Sequence, residues 1–204
     1  MQTGNLFLVS APSGAGKTSI VNAALAADSD TTVSVSHTTR PARGGEIDGD
    51  NYFFVGDDEF TQMIENGEFL EHANVFGKRY GTSKAEVERK RSAGKNVILE
   101  IDWQGAQQVR EVLPEATSIF ILPPSVEELA QRLNTRGEDS AQSIEKRLSE
   151  AKLDMSQAKH FDFLVINADF ASAVSDFLKI IQVAGLRTAV QTQRQEIVEL
   201  IQAD

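Results

Sequence analysis

Leu6-Phe-Leu-Val-Ser-Ala-Pro-Ser-Gly-Ala-Gly-Lys-Thr18 is the stretch on which the fold turns. A short apolar run, Leu6 to Val9, has the pattern of a buried strand. It enters a glycine-bearing turn and then Gly16-Lys-Thr18. The apolar positions Ile20, Val21, Ala24 and Leu25 follow at helical spacing. Strand, phosphate loop and helix in this order form a mononucleotide site. Gly14 and Gly16 let successive N–H groups turn inward toward phosphate oxygens, and the helix N-terminus adds its positive dipole end. Lys17 is positioned to reach the β- and γ-phosphates, and the Thr18 hydroxyl to ligate Mg²⁺. Ala11 stands where the strict motif has its first glycine. The segment Ala11, Pro12, Ser13, Gly14, Ala15, Gly16, Lys17, Thr18 and Ser19 is therefore the expected nucleoside-triphosphate-binding loop.

Working outward, apolar runs at Leu6–Val9, Val97–Ile101, Ser118–Leu122 and Phe163–Ile166, with a weaker one at Val33–Ser36, alternate with helical patterns. The helices are expected at 18–27, 105–112, 126–136, 141–160, 170–184 and 186–202. Alternation of this kind predicts a parallel sheet covered on both faces. Ser83 with Glu86 and Ser125 with Glu128 form capping boxes that mark helix starts. Two regions depart from the scheme. Residues 37–82 are rich in turns, with a short strand at Tyr52–Val55 and a small helix near 57–66. Residues 126–151 are rich in charge. The fold class expected is α/β: a P-loop NTPase-type parallel sheet core flanked by helices, with one inserted segment and one helical excursion. The division is core 1–36, inserted segment 37–85, core 86–125, charged helical segment 126–151 and core 152–204, the two inserted parts being where mobile, substrate-gripping elements commonly sit.

The 204 residues suit one α/β domain with insertions. The absence of cysteine removes disulfides, thiolate metal sites and thiol nucleophiles. No signal peptide or run of 18 apolar residues is read, so the expectation is a cytoplasmic protein without a membrane partner. A net charge of −10 argues against binding a nucleic acid polymer. Phosphate must then be gripped by a few focused cations, and the place of each arginine becomes informative.

Arg40 and Arg43, three apart in a Pro/Gly-rich turn, suit a phosphate clamp, with Tyr52 and Tyr80 as further donors. A solvated basic loop fits the same spacing. Glu100 and Asp102 end the strand Val97–Ile101 on one face, at the sheet edge where ligands gather; an ion pair with a neighbouring basic residue is the alternative. Arg132 and Arg136 share one helical face, with Arg147 eleven residues on, which suits either an anion site or a solvated face.

Val33-Ser-Val-Ser-His-Thr-Thr-Arg-Pro-Ala-Arg43, Asp48-Gly, Tyr52-Phe-Phe-Val55, Phe69-Leu-Glu-His-Ala73, Tyr80-Gly-Thr-Ser83 and Ile101-Asp-Trp-Gln-Gly-Ala106 together resemble the guanylate kinase family. Arg132-Leu, Arg136, Ile144, Lys146-Arg-Leu148 and Asn167 continue the resemblance across nearly the whole chain, and the Ser-Ala-Pro-Ser-Gly opening resembles a bacterial branch. The resemblance implies an ATP:GMP phosphotransferase of purine nucleotide metabolism, with GMP and ATP as small-molecule substrates, and makes 37–85 the inserted nucleotide-monophosphate-binding (GMP-binding) segment and 126–151 the helical lid. dGMP is expected as a second acceptor, since no feature of the sequence excludes a missing 2′-hydroxyl. It implies that Ser36, Arg40, Arg43, Tyr52 and Tyr80 hold the GMP phosphate, and that Glu71, Thr82 and Asp102 read the base. Lys17, Arg40, Arg132, Arg136 and Arg147 would carry the transferring charge, Asn167 would approach the adenine, and Thr18 with Glu100 would serve Mg²⁺. Guanine presents N1–H and N2–H₂ side by side, and one ionised carboxylate accepts both; adenine offers no such pair. The acceptor phosphate, with a second pKa near 6, needs no general base, so His37, His72 and His160 are expected to be structural. A sugar-phosphate kinase would have no use for Glu71, and a phosphopeptide-binding module of this family would typically lack Lys17. Oligomeric state stays open between monomer and homo-oligomer.

Overall fold

The computed structural model describes residues 3–75, 77–135, 141–193 and 195–202. The chain runs β1 Leu6–Ser10, α1 Lys17–Ala27, β2 Thr31–Val33, β3 His37–Thr38, β4 Phe53–Phe54, α2 Asp57–Glu65, β5 Phe69–Val75 and β6 Lys78–Ser83. It continues through α3 Lys84–Ser92, β7 Asn96–Glu100, α4 Trp103–Val112, β8 Thr117–Leu122, α5 Val126–Thr135 and α6 Ala141–Ser156. A 3₁₀ turn at Ala158–His160, β9 Phe163–Ile166, α7 Phe170–Ala184, α8 Thr188–Gln191 and α9 Gln195–Gln202 complete it.

Five strands form a parallel sheet in the order β2-β7-β1-β8-β9. Strand alternation sends Phe7 and Val9 to one face, where Ile20, Val21 and Phe177 from α1 and α7 cover them. Leu6 and Leu8 go to the other, against Val87 of α3 and Val109 of α4. Both faces are dry, and each fully buried side chain of this size contributes roughly 1.5–3 kcal/mol. The expected fold class is therefore the observed one. The sheet's C-terminal edge is the open side, where β1 runs into the phosphate loop and β7 into Glu100.

A second, four-stranded sheet in the order β4-β3-β6-β5 stands over that edge. Its sequence signal was slight, and the β5–β6 hairpin was not among the expected elements, because Glu71, His72, Lys78 and Arg79 break the apolar pattern. Phe60 of α2 packs under it against Phe69, with ring centroids 4.7 Å apart. His37 stacks on Phe53 at 4.8 Å and meets Phe69 edge-on, a structural role as expected.

The strand expected at 33–36 instead lies at 31–33. After Ser34 donates its N–H to the Ile98 carbonyl, the chain leaves the first sheet and His37–Thr38 join the second. The helix expected to reach 160 stops at Ser156, and the 186–202 helix divides in two. Both capping boxes form on one side: Ser83 accepts from Glu86 N–H, and Ser125 Oγ from Glu128 N–H at 3.1 Å. None of the described helices is long and apolar enough to cross a membrane.

Candidate active site

The phosphate loop is held by three neighbours. Ala11 packs against the core beneath β1. Gly16 caps α1 in a left-handed conformation, φ 93°, and a Cβ there would lie 2.4 Å from Asn167 Nδ2. That nitrogen donates to the Ala15 carbonyl at 2.7 Å, so buried Asn167 ties the end of β9 to the loop. Leu129 and Leu133 of α5 lie over Gly14. Pro12 is buried, whereas Ser13, Thr18 and Ser19 face solvent.

Lys17 keeps part of its surface open to the cleft, yet protein encloses it closely enough that burial pulls its pKa below the ordinary value. Glu100, Asp102 and Glu71 oppose that shift. Thr18 Oγ1 donates to Glu100 Oε2 at 3.1 Å, which brings a hydroxyl and a carboxylate together beside the lysine. These are hard oxygen donors of the kind a Mg²⁺ shared with phosphate takes. Asp102 has a local duty that the sequence reading missed: its Oδ1 accepts Gly105 N–H at 2.7 Å and caps α4. The signal was present, an Asp directly before a helical pattern.

A cleft of about 930 Å³ runs from Lys17 and Thr18 past Ser34, Ser36, Glu100 and Asp102 to Tyr52, Glu71 and Tyr80. Its far wall belongs to the second sheet. In β5 the register slips between Phe69 and Glu71, so that two residues oppose one. Such a bulge re-aims the following side chain. Glu71 thereby comes opposite Thr82, whose hydroxyl donates to Glu71 Oε1 at 2.5 Å. Glu71 is only 5% exposed, and burial pushes its carboxyl up to about 7 against the opposing Thr82 bond.

Arg40 meets Glu46 in a two-pronged ion pair, Nη2 to Oε1 at 2.8 Å and Nη1 to Oε2 at 2.9 Å. Its Cζ lies 5.3 Å from the Tyr52 ring centroid, and the Tyr80 ring meets that of Tyr52 edge-on at 5.9 Å. The Arg40 guanidinium holds the Glu46 carboxyl down to about 2, and Arg43 N–H bonds the same carboxylate at 2.7 Å. The Arg43 side chain is exposed. Glu46 has no role in the sequence-based expectations; an acid six residues from Arg40 in one turn was the available signal. Ser36 lines the cleft and its carbonyl accepts from Phe53 N–H.

Arg132 donates to Glu128 at 3.0 Å and to the Asn167 carbonyl at 3.1 Å. Arg147 donates to Ser13 Oγ at 2.8 Å and so joins α6 to the phosphate loop. Arg136 lies outside the described residues. A smaller groove on the outer face of α4, about 470 Å³, is lined by Trp103, Arg110 and His160, and Arg110 is already committed to Asp162 and the His160 carbonyl. It lacks the lysine and the group of carboxylates that line the larger cleft.

A phosphate loop on a parallel sheet, facing a second sheet that brings an arginine–tyrosine cluster and a buried acid, defines a phosphate-loop nucleoside monophosphate kinase. Comparison with known proteins narrows this class. The family model described as guanylate kinase matches residues 3–184. A guanylate kinase of Hahella chejuensis is 54% identical over 196 residues, covering 96% of this chain and 94% of that protein. The guanylate kinase of Escherichia coli strain K12 is 51% identical over 198 residues, 96% of each. A crystal structure of guanylate kinase from Anaplasma phagocytophilum superposes with a TM-score of 0.76 at 34% identity, covering 92% of this chain and 89% of that one. The chain belongs to the guanylate kinase family.

Proposed function

We propose that the cleft transfers the terminal phosphoryl group of ATP to the phosphate of GMP, giving ADP and GDP, and that dGMP serves as a second acceptor. One observation carries the acceptor's identity: a buried carboxylate, Glu71, fixed by Thr82 on the wall opposite the phosphate loop. Two acceptor oxygens set side by side in a dry wall suit the N1–H and N2–H₂ edge of guanine. They penalise adenine, which leaves the charge unpaired.

A GMP phosphate oxygen attacks the γ-phosphorus in line as the bond to the β-phosphate oxygen of ADP breaks. The attacking dianion needs no base, so positioning and neutralisation of charge supply the catalysis. Ser36, Arg40, Arg43, Tyr52 and Tyr80 hold the acceptor phosphate, and Glu71, Thr82 and Asp102 read the base. Residues 11–19 wrap the donor phosphates, with Lys17 on the transferring group. Arg132, Arg136 and Arg147 neutralise the charge that spreads over it. Asn167 keeps the loop in shape and borders the adenine side. Thr18, with Glu100 behind it, would hold Mg²⁺, which when bound lowers the charge on the phosphates. Residues 37–85 and 126–151 close over the two substrates and exclude water, which suppresses ATP hydrolysis.

A coupled assay of ATP consumption with GMP, AMP, CMP and UMP tests the reading. Turnover confined to GMP is expected. Equal rates with AMP, or none with GMP, refute it.

A further inference from the structure

Gly105 has no backbone reason to be glycine. It is the third residue of α4, buried, and outside the left-handed region that glycine alone visits easily. Glycine inside a helix is unfavourable relative to alanine. The cause lies in β5, which packs against α4: a Cβ at 105 would stand 2.8 Å from Glu71 Oε2 and 3.3 Å from both Glu71 Cδ and the capping Asp102 Oδ1. Real Cβ atoms do not approach that closely, so either α4 or the carboxylate would have to move. The carboxylate is the softer of the two. It is the end of a side chain, whereas α4 is packed into the core through Ala106 and Val109 and capped by Asp102.

One turn further along, Gln108 acts on the same strand. Its Oε1 accepts the His72 N–H and its Nε2 donates to the His72 carbonyl, both at 3.2 Å. β5 is the edge of its sheet, and a side-chain amide here completes a strand-like pairing with the residue directly after Glu71. Gly105 gives the carboxylate its space, and Gln108 fixes the backbone from which it projects.

We infer that Gly105 and Gln108 are positioning residues for base selection: α4 sets the Glu71 carboxylate through them, although neither has a place among the residues assigned to GMP. The inference rests on the reading that Glu71 accepts from guanine. It assigns to glycine 105 a requirement of shape and not of folding.

The test is kcat/KM for GMP and for inosine monophosphate, which lacks the 2-amino group, in wild type, Gly105→Ala, Gln108→Ala, Glu71→Gln and Gly105→Ala/Glu71→Gln. Gly105→Ala is expected to lower kcat/KM for GMP roughly tenfold or more, through KM, and to shrink the preference for GMP over inosine monophosphate. KM for ATP should stay within about twofold and the melting temperature should not fall, since alanine favours the helix. In the Glu71→Gln background the same change should cost less than about twofold, the mark of two residues acting through one group. Gln108→Ala should move the preference in the same direction, and it decides the matter should Gly105→Ala fail to fold. An unaltered preference in the variants at 105 and 108, with Glu71→Gln lowering it, overturns the inference and leaves the guanine reading standing. Fully additive losses in the double variant also overturn it. An unaltered preference in Glu71→Gln overturns the guanine reading itself, and this inference with it.

Discussion

The affinity for GMP should fall as the pH is lowered from 8 to 6, and Glu71 should account for most of the fall. In the unliganded cleft, burial holds this carboxyl at about 7 instead of its ordinary 4.5, with the Thr82 bond opposing and Asp102 adding to the shift. In the proposed contact the ionised form accepts the two guanine donors, so bound GMP would pull its pKa down. With a free-state value near 7, roughly nine-tenths of Glu71 is ionised at pH 8 and about one-tenth at pH 6. The apparent affinity therefore changes about tenfold, or about 1.4 kcal/mol. The GMP phosphate, with a second pKa near 6, adds about a further twofold. Titration calorimetry should give a combined ratio of roughly twentyfold for wild type and only about twofold for Glu71→Gln. At pH 7, buffers of different ionisation enthalpy should reveal about half a proton released per GMP bound. The same carboxyl acts on the unliganded fold. Its folded pKa lies above the unfolded one, so the folded state binds more protons between about 4.5 and about 7, and stability falls as pH rises through that window, by up to about 3 kcal/mol. An equal pH ratio in wild type and Glu71→Gln would refute the reasoning.

Three further outcomes follow from the other parts of the cleft. Lys17→Ala should lower kcat by about 10²–10³-fold or more while calorimetry still detects GMP at near wild-type affinity; loss of GMP binding would move the lysine to the acceptor side. Arg40→Lys removes the fork that meets Glu46, Tyr52 and the acceptor phosphate. KM for GMP should rise roughly tenfold with KM for ATP unchanged, and an equal rise in both would sink the acceptor assignment. Asn167→Ala leaves the Ala15 carbonyl without its donor in a buried place. Denaturant titration should register a loss of about 1–3 kcal/mol, and KM for ATP should rise more than KM for GMP.

Much of this was legible in the sequence, for reasons that differ from part to part. The parallel core announced itself because strands buried on both faces read as unbroken apolar runs, as Leu6–Val9 and Ser118–Leu122 do. The phosphate loop was legible because glycine, lysine and threonine at fixed offsets serve a local backbone geometry. The second sheet was not. Its strands carry Glu71, His72, Lys78 and Arg79 for the cleft and for solvent, which erases the alternation a half-buried strand should have. Contacts between distant segments were equally hidden. Nothing at Asn167 says that its amide reaches Ala15, and nothing at Gly105 says that Glu71 lies above it. Glu46 and Asp102 stand between these cases: both act within six residues of their partners, on rules of turns and caps that the sequence displays.

The acidity of the whole chain and its task of gathering phosphates are reconciled by how its cations are held. Arg40 lies on Glu46, Arg132 on Glu128 and the Asn167 carbonyl, and Arg147 on Ser13. Lys17 sits among Glu71, Glu100 and Asp102. Arg40, Arg132 and Arg147 are thus oriented by oxygens of this chain before a substrate oxygen arrives, so that at these three binding exchanges one acceptor for another. Ordering a long side chain costs on the order of 1.5–2 kcal/mol, and that cost is met here during folding. The carboxylates that orient the cations also weaken their pull on any single phosphate. On the proposed reading, tight binding then requires several of them at once, more than a free inorganic phosphate offers. A molecule that brings a phosphate to Arg40 and a guanine edge to Glu71 meets both conditions, and the selectivity resides in the distance between them as much as in either contact.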